Sequence, residues 1–233
     1  MNARFDPPSA QATHAGSGVD RDPTTTGVRV RPSRWRFLAV GAIGGLFWGA
    51  AFRAWMAEMA GAESQFDWYG TFVAIVGSGA LVGALLGLAE YIRRTGGRPH
   101  WRWLALAPLV FAVTPLTMPG AVEGLLTQGL GGGAIAVALT AVAGGFAVCG
   151  RGPLWARIVC GTLATLVAVA MALTTGAIGG ARLAIDQPRG AWAAVLGGVA
   201  VVVFCLAASI PFRRTDSIRA SAPVEVAAVG APR

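Results

Sequence analysis

The chain has 233 residues, of which 55% are hydrophobic and only 13% charged, with a mean hydropathy of +0.59. A globular domain carries about twice that share of charge, so the composition excludes a soluble enzyme, a disordered polymer and a disulfide scaffold, and it specifies a multi-pass membrane protein. The formal charge of +8 comes from 19 basic residues, all arginine, placed in tails and short connections rather than on one soluble face, which sets nucleic acid aside as a partner and leaves the lipid bilayer.

Residues 1–35 hold Pro7, Pro8, Pro23 and Pro32 among Ser, Thr, Gly and mixed charges, and read as a disordered tail. The first apolar run begins at Phe37 with no small-residue cleavage site behind it, so it reads as an uncleaved anchor. Six apolar segments follow, at 36–58, 69–92, 103–120, 124–148, 154–180 and 191–211. Each reaches or approaches the roughly 20 residues that cross a bilayer core at 1.5 Å per residue, and runs this apolar are helices because barrel strands would alternate. The expected fold is all-α: a transmembrane domain at 36–211, six helices arranged as three hairpins, with a second disordered tail at 212–233.

Sixteen of the nineteen arginines fall before the first segment, after the second, after the fourth or after the sixth; only Arg53, Arg182 and Arg189 lie on the other side. The positive-inside rule then places the protein in the bacterial cytoplasmic membrane with both tails cytoplasmic. Seven of the eight tryptophans, all but Trp48, stand near segment ends, where an aromatic belt belongs. Arg31-Pro32-Ser33-Arg34-Trp35-Arg36 is echoed by Arg98-Pro99-His100-Trp101-Arg102-Trp103, which the need for arginine and an aromatic anchor at each cytoplasmic entry explains without duplication.

The first segment carries Gly41, Gly45 and Gly49, and the second Gly79, Gly83 and Gly87. Residues four apart share a helix face, so each helix presents a glycine groove for close helix packing, within the chain or between copies. Glu90 precedes Arg93 and Arg94 by three and four residues, the spacing of an interfacial ion pair. The spans contain no histidine, and no aspartate or lysine at mid-depth, which argues against a proton-coupled transporter and against bis-histidine haem. Cys149, Cys160 and Cys205 form no C-x-x-C pair and read as small packing residues, so neither a metal nor a cofactor is expected. Pro108, Pro115 and Pro119 interrupt the third segment, and Gln128 with Gly129-Leu130-Gly131-Gly132-Gly133 loosens the outer part of the fourth, giving either a kinked hairpin or an outward-facing pocket.

The outer connection between the first two segments runs from Arg53-Ala54-Trp55-Met56-Ala57-Glu58 to Phe66-Asp67-Trp68-Tyr69-Gly70-Thr71. Its pattern, R-x-W-M then F-x-W-x-G-T, resembles one in uncharacterised multi-pass membrane proteins of high-GC Gram-positive bacteria. The resemblance implies a membrane protein and no catalytic residue. Arg53 lies near the outer interface, where it either snorkels into head groups or pairs with Glu58 or Asp67 to form the charged lip of a pocket. Arg53, Trp55, Glu58, Asp67, Trp68, Glu123 and Gln128 are the candidate outer-face site.

No H-E-x-x-H, G-x-S-x-G, P-loop or dinucleotide fingerprint occurs. The first functional reading is therefore an accessory or scaffold-type membrane protein, working as a homo-oligomer or beside a membrane partner protein. A small membrane enzyme acting on a lipid or isoprenoid-like substrate at the outer leaflet, and a passive facilitator or channel, are the alternatives. The enzyme requires Arg53, Glu58, Asp67 and Glu123 to converge; the facilitator requires a continuous polar path.

Overall fold

The computed structural model describes residues 33–118, 120–128 and 132–215, and all their regular structure is helical. The tails expected at 1–35 and 212–233 fall almost wholly outside these residues. So do Pro119, Gly129, Leu130 and Gly131. The first helix, α1 (Arg34–Ala60), begins two residues ahead of the predicted span, the usual margin for a helix end. After a connection at 61–67 a π-helical segment, Trp68–Gly77, runs directly into α2 (Ser78–Arg94). A 3-10 turn, Trp101–Leu106, leads into α3 (Pro108–Leu116), followed by α4 (Ala121–Gln128), α5 (Gly132–Val148), α6 (Leu154–Leu173), α7 (Thr175–Gly179) and α8 (Pro188–Ala208).

Among the described residues, four helical stretches are long and apolar enough to cross a membrane: Arg34–Glu63, Trp68–Arg94, Leu154–Leu183 and Pro188–Phe212. The third predicted span is shorter than expected, for a local reason. Proline has no N–H and its ring excludes the carbonyl four residues back, so the 3-10 turn ends at Leu106 and α3 starts with Pro108 at its first position, where the missing donor is not needed. Of the span expected at 124–148, the described residues form α4 to Gln128 and α5 from Gly132.

The α1–α2 contact is glycine on glycine. A Cβ on Gly45 would overlap the Gly79 carbonyl, one on Gly41 or Gly83 would overlap the other's carbonyl, and one on Gly79 would stand 2.7 Å from the Gly45 oxygen. The α1 and α2 backbones therefore touch along the two grooves, and dispersion between backbones replaces the side-chain packing of a water-soluble core. At the C-terminal end of α2, Glu90 accepts from Arg93 at 2.7 Å and from Arg94 at 2.6 Å.

An aromatic cluster joins α1 to the rest. Trp48 stacks on Phe52 at 5.2 Å and meets Phe204 at 4.4 Å, while Phe111 of α3 packs edge-on against Phe52 at 5.7 Å. A buried indole N–H needs an acceptor, and both α1 tryptophans in this region reach α8 for one: Trp48 Nε1 donates to the Ala200 carbonyl and Trp55 Nε1 to the Ala193 carbonyl, each at 2.9 Å. Gly197 makes room for this, since a Cβ there would lie 3.0 Å from the Trp55 ring. Outward faces are apolar, with Phe47 of α1 and Leu166 of α6 each at least 60% exposed. Water would not tolerate that surface, and hydrocarbon does. The architecture is that of a helical membrane protein.

Candidate functional site

Arg53 sits on the inner face of α1 and is only 9% exposed. Burying a guanidinium demands partners, and these come from the segment just ahead of α2. Its Nη2 donates to the Gln65 carbonyl at 2.6 Å, and its charge lies 4.1 Å over the Phe66 ring. Nε reaches Thr71 Oγ1 and Nη1 reaches Ser64 Oγ, both at 3.5 Å, the long limit for such bonds. The acceptors are neutral, and among the described residues no carboxylate lies in salt-bridge range of Arg53.

The expected ion pair with Glu58 or Asp67 is therefore not formed. Five residues along a helix turn a side chain about 140° away, so Glu58 leaves the Arg53 face. It is held by Arg189, at 2.5 Å from Nε to Oε1 and 3.0 Å from Nη2 to Oε2, with Arg182 at 3.5 Å. Arg182 Nη2 also donates to the carbonyls of Glu58 at 2.8 Å and Met59 at 3.1 Å, satisfying the orphan acceptors at the end of α1. Gly61, at φ 60°, closes that helix, and a Cβ there would stand 2.5 Å from the Arg182 guanidinium. Asp67 is used locally: its Oδ1 accepts the Gly70 N–H at 2.6 Å and caps the π-helical segment.

The π-helical stretch is wider than an α-helix, a feature found often at functional sites. At its junction with α2, Ser78 Oγ donates back to the carbonyls of Ala74 at 2.6 Å and Ile75 at 3.1 Å. The segment buries Thr71 and Ala74 toward the interior and so delivers the Thr71 hydroxyl to Arg53. Tyr69 shares a 2.7 Å hydrogen bond with Thr117, tying this segment to the end of α3.

Below Arg53 opens a cavity of about 590 Å³, within the size range of ligand pockets. Its polar end is made by Arg53, Glu63, Ser64, Gln65, Asp67 and Thr71. Apart from Thr174 its remaining walls are apolar, from Phe52 and Trp55 of α1, Phe111 and Pro115 of α3, Val137 of α5 and Val167 of α6. Met56, Met118 and Met171 add unbranched, polarisable side chains that adapt to an irregular guest.

Of the predicted site residues, Arg53, Trp55 and Asp67 share this cavity. Trp68 is 80% exposed and packs on Phe72 outside it. Glu58 belongs to the arginine clamp, and Glu123 is exposed in the first turn of α4. Gln128 is the last residue of α4. Reasoning from sequence missed Ser64, Thr71 and Phe66 as partners of Arg53, although Phe66 and Thr71 are letters of the F-x-W-x-G-T pattern. It also missed Gln65, whose contribution is a backbone carbonyl and has no signature in residue type.

Among the described residues the lining contains neither histidine nor cysteine; its hydroxyls are those of Ser64 and Thr71, which accept from the guanidinium, and of Thr174, which donates to the Ala170 carbonyl. The arrangement suits an amphiphile, with a polar group at the arginine and a chain along the apolar walls. Comparison of the chain with protein-family models, curated proteins and solved structures finds no match.

Proposed function

We propose that this chain is an accessory protein of the bacterial cytoplasmic membrane that holds one lipid molecule in the cavity beneath Arg53, on the outer-leaflet side. The observation that carries this reading is a buried guanidinium without a carboxylate partner at the polar end of an otherwise apolar 590 Å³ cavity. Holding is favoured over chemistry because the four charged groups an enzyme would bring together do not converge: Glu58 and Glu123 stand apart from the cavity that Arg53 and Asp67 line. The apolar walls likewise oppose a continuous polar path, and with it a facilitator. In this role the protein works as a homo-oligomer or presents its lipid to a membrane partner protein.

The reading includes six crossings in three hairpins, with both termini cytoplasmic. The helical stretches at 101–116 and 132–148 supply the third and fourth crossings; at 1.5 Å per residue they are about 24–26 Å long, short enough to thin the bilayer around them. Two contacts support the side assignment. Arg93 Nη1 donates to the Arg214 carbonyl at 3.2 Å, so the connection after α2 and the end of the last helix share one side. The Glu58 clamp puts the end of α1 together with Arg182 and Arg189 at the other.

Native mass spectrometry of the detergent-purified protein tests the lipid reading. Wild type retains one lipid per chain. Ala134→Trp and Val167→Trp, which place a large ring in the cavity, lose it while keeping a helical circular-dichroism spectrum. A wild-type protein without lipid, or both variants retaining it, overturns the reading.

A further inference from the structure

We infer that the head group held in this cavity is zwitterionic, with a phosphate on Arg53 and an ammonium on Glu63 and Asp67. The inference rests on the lipid-holding reading above and concerns only which head the site selects.

Three formally charged residues line the polar end, one cation and two anions, and they differ in depth: Arg53 is buried, whereas Glu63 and Asp67 are exposed at the rim. They do not neutralise one another, since no carboxylate comes within 4 Å of the guanidinium. The nearby Glu58, Arg182 and Arg189 close on themselves and leave the balance of the lining unchanged. A purely anionic head would satisfy Arg53 but meet two carboxylates on its way in. A purely cationic head would satisfy the rim and leave the guanidinium facing hydrocarbon. A head with an inner anion and an outer cation matches both layers.

The inner layer has the geometry a phosphate needs. The Gln65 carbonyl and the Phe66 ring fix the guanidinium from one edge and one face, while its two remaining bonds, to Thr71 and Ser64, are at the 3.5 Å limit. A phosphate oxygen in the cavity replaces those long contacts with charge-assisted ones, and the two hydroxyls become additional donors to it. In the outer layer, the capping bond to Gly70 uses Oδ1 of Asp67, and an ammonium takes the remaining acceptor sites.

The test is competition between lipids of identical acyl chains, read by native mass spectrometry after delipidation. Wild type takes up phosphatidylethanolamine about tenfold over phosphatidylglycerol, the factor expected from one charge-assisted contact. Glu63→Gln with Asp67→Asn, which keeps the capping oxygen, removes the preference but still binds lipid. Arg53→Gln lowers uptake of both lipids about tenfold. Glycerophosphoethanolamine, the same head without chains, does not displace the bound lipid at equal concentration. Equal uptake of the two lipids by wild type, a preference that survives the double substitution, or unchanged uptake by Arg53→Gln overturns the head assignment while a lipid still occupies the cavity. Displacement by the chainless head overturns it as a lipid site, and no uptake of any lipid overturns the reading beneath it.

Discussion

Arg53 is the residue on which function and stability are set against each other. Its burial is met by one short hydrogen bond, two long ones and an aromatic face, with no counter-ion among the described residues. Replacing a buried, incompletely paired charge by an apolar side chain of similar length is often neutral or stabilising. Arg53→Met is therefore expected to unfold in detergent within about 1 kcal/mol of wild type, or later, and yet to lose its lipid. Substantially earlier unfolding would mean that the guanidinium holds the 61–67 connection in place and is not reserved for a ligand. The sequence marks Arg53 because it is the single arginine of its connection. It does not disclose the partners: Glu58 faces elsewhere and is claimed by Arg182 and Arg189, more than a hundred residues away along the chain.

At the scale of elements, the α1–α2 pair depends on glycine. Gly45→Leu and Gly83→Leu drive a side chain into an opposing backbone that has no rotamer with which to yield, and overpacking of this kind costs about 1–3 kcal/mol. Gly44 lies on the same helix with nothing within 4 Å of its would-be Cβ, so Gly44→Leu serves as the internal control. Thermal unfolding in detergent is expected to drop for the first two and to stay at the wild-type value for the third; three equal midpoints would place the grooves elsewhere. The four-residue spacing makes this contact legible in the sequence, because residues four apart on a helix necessarily share a face. Hydropathy does not show the hydrogen-bond pattern within a helix: nothing in Trp68–Gly77 announces a π-helical ladder, which is fixed by hydrogen bonding and not by residue type.

In the whole molecule, a helical membrane bundle encloses an amphiphilic cavity beside the connection between α1 and the π-helical segment. Orientation is checked by cysteine labelling on a background in which Cys149, Cys160 and Cys205 are replaced. Ala62→Cys is expected to react with a membrane-impermeant maleimide in intact cells, and Arg98→Cys only after permeabilisation; the opposite pattern would invert the topology. The membrane class is legible because bilayer thickness sets the length of an apolar helix. The cavity is not, because its walls come from six helical segments and a connection, and Val137, Val167 and Met171 differ in no visible way from apolar residues that face lipid. The central claim, that this cavity is a lipid site built around Arg53, is tested most directly by an experimental structure determined in a lipid environment. The account predicts elongated density along Phe111, Val137 and Val167, ending in a head group within hydrogen-bond distance of the Arg53 guanidinium. An empty or water-filled cavity, or an Arg53 closed onto a carboxylate of its own chain, would contradict it.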